Sequence, residues 1–180
     1  MATDAGSAGL DGLYRAVRDV PDFPKAGIVF KDITPVLLDP ELLGRAVGLM
    51  AGAFRGAGTT RVVAIESRGF LLGPPIALAL AAGLVPVRKP GKLPAAAHRV
   101  EYALEYGTDA LEMHHDALGP GDRVLVVDDV LATGGTAAAA ARLVRRAGAD
   151  LVGLTFLIEL DLLHGRSKLS GLRVEAVLHY

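Results

Sequence analysis

Apolar positions along the chain switch between the 3.6-residue period of helices and the short unbroken runs of buried strands. This alternation predicts an α/β fold with a central, mainly parallel sheet flanked by helices. Tyr14 and Val17 mark a short first helix, after which Pro21, Pro24 and Gly27 predict an irregular loop into a strand at 28–30. Asp39-Pro40 opens a helix with a capping carboxylate and a first-turn proline. Leu42, Leu43, Ala46, Val47, Met50 and Phe54 form its apolar stripe, and Gly56 and Gly58 follow it. Strands over 62–65 and 84–87 bracket a helix over about 71–82, with Gly73-Pro74-Pro75 read as a break. Residues 99–105 and 110–114 flank Tyr106-Gly107-Thr108-Asp109 and read as an antiparallel hairpin or a loop that can move. A strand at 124–127, an Ala-rich helix to about 147 and a strand over 151–158 complete the sheet, and 174–178 adds an edge strand. No linker or internal repeat interrupts the pattern, so 1–180 is expected to be one domain.

Composition narrows the classes of function. The chain has 180 residues, 51% of them hydrophobic, enough for a sizeable core. A net charge of −1 supplies no field for nucleic acid, so a phosphorylated ligand would have to be drawn by local clusters. The absence of cysteine excludes disulfides and thiolate metal sites and fits a cytoplasmic location. Residues 1–12 are small and acidic, unlike a signal peptide. The apolar stretch 70–87 is broken by Gly73-Pro74-Pro75 and Gly83, so no membrane span is expected. His114-His115-Asp116 suggests a metal only superficially, since adjacent strand side chains face apart.

The chemistry concentrates in residues 124–136, Val-Leu-Val-Val-Asp-Asp-Val-Leu-Ala-Thr-Gly-Gly-Thr. A strand buried on both faces delivers Asp128 and Asp129 to its carboxyl end, where ligands collect in open parallel sheets. Alternation would point the two carboxylates to different sides, each able to accept from one hydroxyl of a vicinal diol such as ribose. The turn Ala132-Thr133-Gly134-Gly135-Thr136 then brings backbone N–H groups and hydroxyls to an anion at a helix N-terminus. A plain helix cap would need one carboxylate and no such turn. A Walker loop would need Lys where Thr136 stands, and the G-x-G-x-x-G dinucleotide fingerprint is absent.

The acidic pair followed by Ala-Thr-Gly-Gly-Thr resembles the diphosphoribose-binding motif of type I phosphoribosyltransferases. Four further segments make the chain similar to the adenine phosphoribosyltransferase family over nearly its whole length. These are Pro21-Asp22-Phe23-Pro24 through Phe30-Lys31-Asp32-Ile33-Thr34-Pro35, Glu66-Ser67-Arg68-Gly69-Phe70, Arg88-Lys89-Pro90-Gly91-Lys92-Leu93-Pro94, and Leu104-Glu105-Tyr106-Gly107. The resemblance implies the type I phosphoribosyltransferase fold with a small N-terminal hood over about 1–35 and a mobile loop. It implies transfer of a 5-phosphoribosyl group from 5-phosphoribosyl 1-diphosphate to adenine, giving AMP and diphosphate, in a cytoplasmic homodimer.

The resemblance also implies roles for individual residues. Arg68, Lys89 and Lys92 would bind the diphosphate, Arg68 as an always-charged fork that also assists catalysis. Asp128 and Asp129 would hold the ribose hydroxyls, and Ala132, Thr133, Gly134, Gly135 and Thr136 the 5-phosphate. Adenine would lie between Phe30 and Val130, its edge read by main-chain groups at Val29 and Lys31. Ala132 stands where 6-oxopurine enzymes usually carry Asp, which favours adenine. Lys31 replaces the Arg of some family members, which leaves the role of its side chain open. Glu105 would manage protons beneath the closing loop, and the Glu66-Ser67 peptide would be cis. Mg²⁺ would ride on the sugar diphosphate with no direct protein ligand. Two rivals are the same reaction on hypoxanthine or xanthine, and a sugar-sensing regulator; the latter needs a DNA-reading module, and no basic helix is evident.

Overall fold

The unbroken apolar runs become the middle of a parallel sheet in the computed structural model, which describes residues 4–103 and 107–180, with side chains from residue 10 onward. Two compact units are formed, Met1–Leu49 and Met50–Tyr180.

In the first unit, helix α1 (Asp4–Ala16) leads into strands β1 (Arg18–Pro21) and β2 (Val29–Asp32). These pair antiparallel, with Val20 opposite Phe30 and Asp19 opposite Lys31. The short β1 was not expected: four residues ending in proline carry too little alternation to signal a strand. What holds it is cross-strand charge, Arg18 to Asp32 at 2.5 Å and Lys31 to Asp19 at 2.6 Å. A short helix α2 (Thr34–Leu38) precedes α3 (Pro40–Gly52). Asp39 caps α3 as the sequence predicts, its Oδ1 accepting from the main-chain N–H groups of Glu41 (2.8 Å) and Leu42 (3.1 Å).

The second unit contains β3 (Arg61–Ile65), α4 (Gly69–Ala79), β4 (Gly83–Val87), β5 (Ala97–Ala103), β6 (Thr108–His114), β7 (Arg123–Leu131), α5 (Gly135–Arg146), β8 (Asp150–Glu159) and β9 (Val174–His179). Five of these strands form a parallel sheet in the order β4-β3-β7-β8-β9. Val62 to Ile65 and Val124 to Val127 are fully buried, as strands covered on both faces require. Strands β5 and β6 form a separate antiparallel pair against α5, where Tyr102, Leu111 and Met113 share a core with Ala137, Ala140 and Leu143.

Helix α4 corrects one expectation, because Gly73-Pro74-Pro75 lies inside it and not in a turn. Two prolines remove two helix donors, yet the helix continues because Leu72 and Ile76 are wholly buried. Gly73 allows the close approach: a Cβ there would lie 2.5 Å from that of Ala64 in β3. Among the described residues, no helix is long and apolar enough to cross a membrane.

Candidate active site

Parallel strands end together, so the segments after β3, β4, β7 and β8 all leave one edge of the sheet. Pairing of β3 with β7 stops at Ala64 and Val127, whereas β7 continues to Leu131 alongside β8. Asp128 and Asp129 therefore belong to β7 itself, on the part that has outrun β3, and not to a loop beyond the strand. The gap left by β3 is filled by the turn 66–69. Gly69 lies so close that a Cβ would sit 3.0 Å from Asp128 Oδ1, and Arg68 Nε lies 2.8 Å from Asp129 Oδ2. Contrary to simple alternation, both carboxylates thus meet the start of α4, because the long Arg68 side chain reaches Asp129 from that same turn.

The pair is electrostatically loaded. Asp129 is buried, and Asp128 Oδ1 accepts from the main-chain N–H of Asp129 at 2.9 Å. Loss of hydration, and then the like charge of Asp129, push the Asp128 carboxyl well above the ordinary carboxylate value. Loss of hydration also raises Asp129, against the pull of Arg68. Two carboxylates facing one guanidinium form a site that favours further donors or positive charge.

After β7 the chain turns through Ala132 and Thr133 into Gly134, which precedes α5 with φ +76°. That left-handed backbone is strained for any residue with a Cβ. The carbonyl of Gly134 accepts the first helix bond from Ala138 at 2.9 Å, so the N–H groups of the first turn face outward as orphan donors. Thr133 and Thr136 are half-buried at the same turn. The turn rests on the segment after β8, since a Cβ on Gly134 would lie 2.3 Å from the Gly165 carbonyl oxygen.

The basic segment after β4 is tied to the turn after β3. Glu66 accepts from the Lys89 main-chain N–H at 2.9 Å and from Arg88 at 3.3 and 3.4 Å. The Lys89 hydrogen bond is the main reason that the Glu66 carboxyl lies below its ordinary value. Its role as a brace between two loops was not read from the sequence, where its partner lies 23 residues away. The Glu66-Ser67 peptide is cis, as the resemblance implied. Lys89 is not waiting alone: its ammonium contacts the Asp109 carboxylate and donates to the Tyr102 hydroxyl at 2.8 Å. Burial acts to lower its pKa, but these partners more than offset it and hold it above the ordinary value. Lys92 is exposed, its main-chain oxygen accepting from Arg88 at 3.2 Å.

In the first unit, Val29 is exposed and Phe30 half-buried, the Phe30 ring meeting Phe23 edge-on at 5.2 Å. The Lys31 ammonium, whose role the sequence left open, pairs with Asp19 at 2.6 Å. Val130 is half-buried in β7, opposite Ile158 of β8. Glu105 lies outside the described residues.

Comparison with known proteins gives a consistent result. The family model described as phosphoribosyl transferase domain matches residues 37–171. The adenine phosphoribosyltransferase of Myxococcus xanthus is 62% identical over 168 residues, covering 93% of this chain and 91% of that protein. The crystal structure of adenine phosphoribosyltransferase from Rhodothermus marinus superposes with a TM-score of 0.93 at 55% identity, covering 97% of this chain and 99% of that one. The enzyme from Saccharomyces cerevisiae, complexed with D-2,5-dideoxy-2,5-imino-altritol 1,6-bisphosphate and adenine, superposes with a TM-score of 0.90 at 41% identity, covering 96% and 99%.

Proposed function

Since the chain belongs to the phosphoribosyl transferase family and transfers a 5-phosphoribosyl group from 5-phosphoribosyl 1-diphosphate to adenine, giving AMP and diphosphate, we propose that the edge built by β3, β4 and β7 carries the reaction. The observation that carries this assignment is the convergence of Asp128 and Asp129 with Arg68 beside the left-handed turn at Gly134. In this reading the turn 132–136 holds the 5-phosphate through main-chain N–H groups and the Thr133 and Thr136 hydroxyls. Asp128 and Asp129 accept from the ribose 2- and 3-hydroxyls, and Arg68, Lys89 and Lys92 take the diphosphate. Lys89 then exchanges Asp109 for the incoming anion.

The bond from C1 to diphosphate breaks as N9 of adenine attacks and gives up its proton, through an oxocarbenium-like transition state. The chain's part is to hold nucleophile and sugar in line and to neutralise the leaving group. Mg²⁺, when carried in on the sugar diphosphate, offsets charge on the diphosphate oxygens. The buried Asp129 and half-buried Asp128, both held at raised pKa, suit such a cation nearby. The one other group of ligands among the described residues, Glu159, Asp161 and His179, is poorly suited, because Arg166 Nε already bonds both Glu159 oxygens at 2.8 and 2.7 Å.

Adenine is assigned to Phe30 and Val130, with main-chain groups at Val29 and Lys31 reading its amine; a carbonyl there would repel the oxygen of hypoxanthine or guanine. The support is the resemblance of the segment Phe30-Lys31-Asp32-Ile33-Thr34-Pro35. Glu105 is assigned to the purine nitrogens as their charge is redistributed. Glu105→Ala is expected to lower kcat while leaving the KM values nearly unchanged, and equal turnover would remove it from the site.

We assign the protein to the cytoplasm as a homodimer, with 1–180 acting as one functional domain and 1–35 as its hood. Helix α4 is apolar nearly all round, and Leu71 and Leu78 on it and Leu84 on β4 remain exposed, as expected of a face covered by a second copy. A base panel tests the function: protein, Mg²⁺ and 5-phosphoribosyl 1-diphosphate are mixed with adenine, hypoxanthine, guanine or xanthine, and nucleotide is quantified. AMP should dominate. Preferential IMP or XMP would reassign the base, and sugar binding without turnover would mark a regulator.

A further inference from the structure

We propose that Gly165 is a positioning residue for the phosphate turn, acting through main-chain contact with Ala132 and Gly134 and touching no substrate itself. The inference rests on the assignment of 132–136 to the 5-phosphate and names the part of the fold that sets its shape.

Gly165 is buried at the start of a short 3-10 turn, Gly165–Leu169, which follows β8 on the same sheet edge as the phosphate turn. It lies against the backbone of Ala132 and Gly134 and the side chain of Leu131. A Cβ on Gly165 would stand 2.2 Å from the Ala132 carbonyl oxygen, 3.0 Å from Leu131 Cδ1 and 3.1 Å from the Gly134 nitrogen. Ordinary contact begins at 3.4 Å, so any side chain would drive the two segments apart by more than an ångström at the Ala132 oxygen. The reverse holds as well, since a Cβ on Gly134 would meet the Gly165 carbonyl carbon at 3.0 Å in addition to its oxygen. Two glycines thus interlock, and the left-handed backbone that aims the N–H groups of α5 is fixed from behind.

The supporting segment is itself anchored. Arg166 bonds both oxygens of the buried Glu159 at the end of β8 and donates to the Val174 carbonyl of β9 at 2.8 Å. Leu169 is buried in the main core. Since α5 and β7 are rooted in that core, the phosphate turn cannot retreat from an added methyl by moving the helix, and the turn itself must deform.

The test measures binding of ribose 5-phosphate and of adenine separately by calorimetry, with Tm for each variant. Gly165→Ala is expected to weaken ribose 5-phosphate by roughly tenfold or more, as misplacement by an ångström does, and to leave adenine affinity unchanged. Amide exchange at 134–136 should quicken in the same variant. Gly171→Ala is the control: it has φ +76° but nothing within 4 Å of its Cβ, so it strains the neighbouring chain without touching the turn and should bind as the parent does. Thr136→Ala should weaken ribose 5-phosphate if the turn holds the phosphate at all. Parent-like binding by Gly165→Ala with weakened binding by Thr136→Ala would overturn the positioning role alone. Parent-like binding by both would overturn the phosphate assignment and the inference with it. If Gly165→Ala does not fold, Arg166→Lys decides, because it loosens the same segment without adding volume beside the turn. It should weaken ribose 5-phosphate selectively, and unchanged affinity would overturn the proposal.

Discussion

Replacing Asp128 and Asp129 together with asparagine is expected to lower kcat/KM for the sugar diphosphate by about 10²- to 10⁴-fold, the loss of two charge-assisted hydrogen bonds at about 1.5–3 kcal/mol each. The KM for adenine should change little. Steady-state kinetics with each substrate varied in turn checks this. Stability should move the other way for Asp128→Asn alone. Its carboxyl is held well above the unfolded value of 3.8 by burial and by Asp129, so the folded chain keeps a proton that the unfolded chain releases. Stability is therefore lost as pH rises from 3.8 through the folded pKa. Asparagine keeps the acceptor for the Asp129 N–H and removes the charge. Tm near neutral pH should rise by roughly 2–4 °C, the response of a chain of this size to about 1 kcal/mol. Thermal melts across the acid-to-neutral range should show a shallower loss for the variant. A parent-like slope would mean that Asp128 does not carry this cost.

Arg68→Ala carries the second largest expected effect, a fall in kcat of about 10²- to 10³-fold from loss of the donor at the leaving diphosphate. It also strips the cation from buried Asp129, which the guanidinium contacts at 2.8 Å. Because Arg68 is about one-third exposed, solvent screens part of that loss, and a destabilisation of about 1–3 kcal/mol is expected. A double variant separates the two consequences. Arg68→Ala with Asp129→Asn should regain most of the lost Tm, because no unpaired charge remains buried, and should regain none of the turnover. Turnover returning with Tm would reduce Arg68 to a structural partner of Asp129.

Legibility in the sequence followed the range of the interactions. The β3-α4-β4 unit, the Asp39 cap and the strand, acidic pair and turn of 124–136 are local patterns, and each was readable. Strand β1 was not, since its pairing depends on Arg18 meeting Asp32 and Asp19 meeting Lys31 across an intervening loop. The prolines of α4 misled because their local preference is overridden by burial of Leu72 and Ile76 on the sheet. The candidate site divides in the same way. Arg68, Asp128, Asp129 and the Gly134 turn announce themselves by residue type and spacing. Glu66 as a brace, Asp109 as the partner of Lys89, and Gly165 behind the phosphate turn act only through contacts distant in sequence. A glycine read alone gives no hint of which carbonyl it lies against.

The most direct test of the central assignment is a crystal structure of the protein soaked with Mg²⁺ and ribose 5-phosphate. The account predicts the phosphate within hydrogen-bond distance of the main-chain N–H groups of 134–136, and the 2- and 3-hydroxyls on Asp128 and Asp129. Ordered sugar phosphate bound elsewhere, with the Gly134 turn and the acidic pair untouched, would contradict it.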